Sequence, residues 1–232
     1  MVDLASSVSG VAALAEPVRR NLYLFVVAQD SPVSREQAAD GVGVAAHTAK
    51  FHLDRLASEG LLVTEYRRLG GRRGPGAGRP TKLYRRAPGE VSVTLPPRRY
   101  DLAGTLMAGA IESSSHEGTP VLEALHNEAT RLGQELAAQA PDRSDRPVDA
   151  VLDVLATQGF EPRQSEGTIT LANCPFHALA QEHTQLVCGM NLALLSAATS
   201  AVGAGDLTAR LDPAPGRCCV VLAPAQPGGD VG

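Results

Sequence analysis

Tryptophan is missing from this chain, and its 232 residues include only four tyrosines, four phenylalanines and three methionines. A core built on large rings is therefore excluded, and Ala, Leu and Val must do the packing. No uninterrupted apolar run approaches the ~20 residues that span a bilayer. The opening "MVDLASSVSGVAALAEP" also lacks the basic start of a secretory signal. The expectation is a cytoplasmic chain with no membrane partner, in a compartment that keeps thiols reduced. There, four cysteines favour metal, cluster or redox chemistry over a disulfide framework. Also absent are a phosphate-binding glycine loop, a nucleophile elbow and an HExxH pair, so an enzyme is not expected.

Hydrophobic residues reach 44%, enough to bury a core at this length. The net charge of −4 hides a division. Basic residues outnumber acidic ones up to Glu90, most densely from Arg67 to Arg86, and acidic residues dominate beyond Arg99. That asymmetry predicts a basic module for a polyanion and an acidic module with another task.

Periodicity fills in the first module. Leu14, Val18, Leu22, Phe25 and Val26 fall at helical spacing over 12–28. Ser34 has the position of an N-cap, and Gln37 completes a capping-box pattern for the short helix "SREQAAD". After the turn Gly41-Val42-Gly43, a third helix "VAAHTAKFHLDRLASEG" turns Val44, Thr48, Phe51, Leu53 and Leu56 partly inward. The segments Leu61–Arg67 and "TKLYRR" alternate like strands around the loop "GGRRGPGAGRP".

Helix, helix–turn–helix and basic hairpin, in that order, make a winged helix over residues 12–90. Such a module sets its second helix in the major groove of double-stranded DNA. The candidate contacts on that helix are His47, Thr48, Lys50, His52 and Arg55, with Lys and Arg suited to guanine. On the wing, Arg67, Arg68, Arg72, Arg73, Arg79 and Lys82 form a positive strip for phosphates or the minor groove.

Beyond residue 100 the reading is α+β. Helical patterns over 100–140 are expected to act as a dimerisation segment, and 147–225 as a small α+β sensor domain. The latter opens with the helix "VDAVLDVLATQGF" and a hairpin turning at Glu166-Gly167, then an irregular "CPFH". A long helix over 187–202 and the strands "LTARLD" and "RCCVVLA" complete it.

The candidate ligands of the second module are Cys174, Cys188, Cys218 and Cys219, with His177 or His183 as nitrogen alternatives. Thiolates suit zinc, copper(I) and iron–sulfur clusters. Side chains alternate along a strand, so only one of Cys218 and Cys219 is expected to reach a shared site. The spacing C-x13-C-x29-C-C matches no compact zinc pattern. His177 and His183 are six residues apart, on largely different helix faces, which argues against both ligating.

The runs "TAKFHLDRLASEGLL" and "GRPTKLYRR" resemble bacterial winged-helix regulators of the ArsR and DeoR types. With "NCPFHALAQEHTQLVCGMN" added, the chain most resembles SufR-like repressors of iron–sulfur assembly genes. That resemblance implies an iron–sulfur cluster on Cys174, Cys188 and one of Cys218 and Cys219. A homodimer on an inverted-repeat operator is expected as well, because two recognition helices on successive major-groove faces multiply affinity and specificity. Two alternatives remain open: a zinc-dependent regulator, and a small-molecule sensor without a cluster.

Overall fold

A carboxylate and a proline set the first helix boundary. Glu16 accepts hydrogen bonds from the backbone N–H of Val18 (3.1 Å) and Arg19 (2.6 Å), capping a helix whose first residue is Pro17. Where the sequence pattern runs on from 12 to 28, the chain therefore forms two helices, α1 (Leu4–Ala13) and α2 (Pro17–Val27).

The structure, a computed structural model, describes residues 4–68, 80–140 and 145–225. It divides into two compact units between Val93 and Thr94.

The first unit continues through β1 (Val33–Ser34), α3 (Arg35–Val42), α4 (Ala46–Ser58), β2 (Leu62–Arg67) and β3 (Thr81–Arg86). The Ser34–Gln37 capping box forms in both directions, at 3.2 and 2.8 Å. Gly43 ends α3 in the left-handed region at φ 73°, a conformation that favours glycine. The three strands form an antiparallel sheet in the order β1-β3-β2. Leu22, Val26, Leu53, Leu56, Leu62 and Tyr84 make the core.

The second unit begins with α5 (Tyr100–Glu117), α6 (Val121–Ala138) and α7 (Pro147–Thr157). A hairpin of β4 (Pro162–Ser165) and β5 (Thr168–Leu171) follows. It turns at Glu166 and Gly167, both at positive φ, as a two-residue hairpin loop requires. Then come α8 (His177–Glu182), α9 (Thr184–Ala201), β6 (Leu207–Leu211) and β7 (Val220–Pro224).

These last strands join the hairpin in an antiparallel sheet ordered β4-β5-β7-β6. Helices α5 and α6, drawn from the sequence as a separate segment, share one core with the sheet and α9 through Leu106, Leu125, Ile169, Val187, Leu194 and Leu222. Helix α6 lies so close to α9 that a Cβ on Gly133 would stand 2.3 Å from the carbonyl oxygen of Leu194. Among the described residues, no helix is long and apolar enough to cross a membrane.

Candidate functional site

Two sets of side chains carry chemistry, one in each unit. In the first, α4 turns Ala49, Leu53 and Leu56 into the core. The opposite face leaves His47, Lys50, Phe51 and Arg55 exposed, and Thr48 half-buried. Arg55 pairs with Glu59 one turn on.

His52 is not on this face. Its ring is mostly covered, and Nδ1 accepts from Arg19 Nε (3.4 Å) while lying 3.6 Å from Glu16. It ties α4 to α2. Phe51 reverses the inward expectation and is 66% exposed. The reason is phase: it stands two residues from both Ala49 and Leu53, hence about 200° around the helix from each.

Asp54, which the sequence did not single out, links α4 to the hairpin. It accepts from Lys82 Nζ (2.6 Å) and the Tyr84 hydroxyl (2.8 Å). Burial opposes its ionisation, but those two hydrogen bonds and the nearby lysine charges outweigh burial and hold its pKa below the ordinary value. Burial first, and then the bond to Asp54, pushes the Tyr84 phenol up. Lys82, expected to meet phosphate, thus spends its charge on Asp54 and lies 5.2 Å from the Tyr84 ring centroid.

Arg67 pairs with Glu65 at 2.6 Å, and Arg68 is exposed. Arg85 and Arg86 add two exposed cations at the base of the hairpin. Arg72, Arg73 and Arg79 lie outside the described residues.

In the second unit all four thiols meet. Cys174 and Cys219 each lie near enough to Cys218, and Cys219 to Cys188, to shift one another's ionisation. Cys174, Cys188 and Cys218 are buried, and Cys219 is half-buried. The expectation that one of Cys218 and Cys219 would point away rested on a strand running through both. The strand begins only at Val220. Before it, Gly216 takes φ 75° and the pair lies on irregular backbone. There Cys218 N–H bonds the Leu171 carbonyl (2.8 Å), and Asp212 N–H bonds the Cys219 carbonyl (2.7 Å).

The sulfurs are surrounded by donors. The backbone N–H groups of Phe176 and Val220 lie near the sulfurs of Cys174 and Cys218 and favour their charged forms. Asn191 Nδ2 donates to Cys218 Sγ at 3.3 Å. The bonds from Cys174 and then Cys219 hold Cys218 well below the ordinary thiol value, against burial. Donation to Cys218 and then burial push both Cys174 and Cys219 up. The cluster thus favours ionisation at Cys218 over its neighbours.

Asn191 is 1% exposed, and its Oδ1 has no hydrogen-bond partner among the described residues. It follows Cys188 by three residues on α9, a spacing that puts both on one helix face and was there to be read in the sequence.

His177 and His183 are exposed at the two ends of α8, and neither appears among the groups that perturb the thiols. His183 instead lines an open groove with His126 and Glu182. Among the described residues, no three of His, Cys, Asp or Glu are disposed to hold a single metal ion.

The loop that carries Cys174 is clamped to the first residues of its unit. Arg98 Nη1 donates to Asn173 Oδ1 (2.5 Å) and to the Cys174 carbonyl (3.1 Å). Asn173 Nδ2 donates to the carbonyls of Pro97 (3.0 Å) and Gly159 (2.7 Å), and Arg99 N–H to that of Pro175 (3.1 Å).

A family described as a helix-turn-helix domain matches residues 14–65, which run from just before α2 into β2. No curated protein and no solved structure matches the chain. Residues 14–65 are thus a helix-turn-helix domain with a hairpin wing attached, an arrangement that fits a DNA-binding regulator.

Proposed function

We propose that this chain is a transcriptional repressor whose hold on an inverted-repeat operator follows the state of an iron–sulfur group bound by Cys174, Cys188, Cys218 and Cys219. The observation that carries this reading is the meeting of four thiols from three separate chain segments beside backbone and amide N–H donors.

The donor set fits such a group. All four atoms are soft sulfurs, and N–H···S bonds stabilise the charge that thiolates bring. Asn191 leaves a buried acceptor unsatisfied beside them, the kind of polar loose end that native interiors rarely leave without a cause. The thiols lie close together and must spread to admit a guest. Three of the four lie on, or at the edge of, irregular backbone that can yield: Cys174, Cys218 and Cys219. When bound, the group supplies a centre sensitive to oxidation and iron supply.

Binding rather than turnover is the task. A ligand can change operator affinity only through different affinities for the competent and incompetent states. The clamp of Arg98 on Asn173 and Cys174 supports a route, because the segment it fixes, Thr94–Arg99, is where the chain enters this unit from the helix-turn-helix unit.

A homodimer supplies the two recognition helices that a two-fold operator requires. Exposed Ile111, Val121 and Leu122 on α5 and α6 support those helices as the contact. The test is anaerobic purification, an absorbance spectrum, and iron and sulfide analysis. Broad visible absorbance with iron and acid-labile sulfide is expected, and Cys218→Ser should remove both while leaving circular dichroism unchanged. Colourless protein with stoichiometric zinc would replace this reading with a zinc site.

A further inference from the structure

We infer that Phe51 is a specificity-determining residue that packs against the 5-methyl group of thymine in the major groove. This rests on the reading of α4 as a DNA-recognition helix. The ring is 66% exposed, and among the described residues its one aromatic contact is an edge-on approach to His52 at 5.2 Å. It stands four residues after His47 and four before Arg55, next to Lys50, all exposed on the outward face of α4.

Such a ring in water forgoes the stabilisation that burial would bring, and the cationic and polar groups flanking it suit a polyanion rather than an apolar protein surface. The chemistry of the face narrows the choice of base. Lys50 and Arg55 suit guanine O6 and N7. Helix α4 has no Asn or Gln with which to read adenine. Its one carboxylate, Asp54, is engaged by Lys82 and Tyr84 and is not free to accept from cytosine. Thymine alone presents an apolar group in the major groove, and Phe51 is the large apolar side chain that the outward face of α4 offers.

The test removes the methyl from the DNA instead of the ring from the protein. Full-length protein, purified anaerobically and in parallel after chelation, selects sites from a pool of random double-stranded DNA. Each thymine of the selected half-site is then replaced by deoxyuridine. At one position per half-site the replacement should weaken wild-type binding about fourfold, the equivalent of one buried methyl. Phe51→Ala, an exposed change that leaves the core intact, should bind both DNAs equally. An enriched site with no methyl dependence, or the same dependence in Phe51→Ala, would overturn this inference alone. No enriched site in either preparation would overturn the DNA-binding reading, and this inference with it.

Discussion

The two units keep their chemistry in opposite places. In the first, charge and one aromatic ring stand on the outside of α4, and the wing strands add cations that water can reach. In the second, the reactive atoms are sulfurs, most of them buried, and they come from the segment just before β7, from α9 and from the loop after β5. A surface that reads a polyanion must stay hydrated until it binds. Its groups contribute little to folding, since exposed ion pairs are worth at most about 1 kcal/mol. A thiol centre gains from exclusion of water, and the core that excludes it is the core that holds the unit together. Substitutions on the first site should therefore spare the fold and alter binding, whereas substitutions that change side-chain volume in the packing around the second should touch the fold first.

The largest expected effect is Gly133→Ala. Its new methyl would meet the Leu194 carbonyl and force α6 from α9, at about 1–3 kcal/mol. Thermal unfolding should report the loss in the second unit, and unchanged stability would mean that the two helices are not in fact packed so tightly.

Asp54→Asn tests a place where the first unit does tie a charge into its structure. Loss of its charge-assisted bonds, part-exposed as they are, should cost about 1 kcal/mol. The sign with pH is fixed by the direction of the shift. A carboxyl held below its ordinary value contributes stability that is full above about pH 5 and is lost as pH falls through the lower, folded value. The gap between wild type and Asp54→Asn should then close in acid. A gap that widened there would refute the assigned contacts.

Smallest is Arg68→Ala. It should leave unfolding unchanged and lower the slope of log affinity against log salt by about 0.9 if it meets one phosphate. A drop in melting temperature would break the contrast between the units.

How legible each unit was follows from the range of the forces that shape it. The capping box at Ser34–Gln37, the turn at Gly43 and the strand Thr81–Arg86 are local, and each stands where its residues imply. Where local reading failed, a neighbour a few residues away had been overlooked. The Glu16 carboxylate capping Pro17 divides the first helix, and the phase set by Ala49 and Leu53 turns Phe51 outward.

The second unit depended on contacts that no window contains. That Cys218 comes near Cys174 and Cys219 near Cys188 depends on backbone bonds to distant Leu171 and Asp212 and on a strand that begins only at Val220. The Arg98–Asn173 bond joins residues 75 positions apart, and nothing in either local stretch announces it. Asn191 is the exception, legible from its spacing to Cys188.

The central claim is that sulfur chemistry in one unit governs DNA affinity in the other. It is tested most directly by fluorescence anisotropy of one anaerobic preparation on its selected DNA, before and after the iron is removed by a chelator. The account predicts that the two affinities differ by about tenfold or more, within the usual range of allosteric coupling, and that Cys218→Ser behaves alike in both arms. Equal wild-type affinities with and without iron would contradict it.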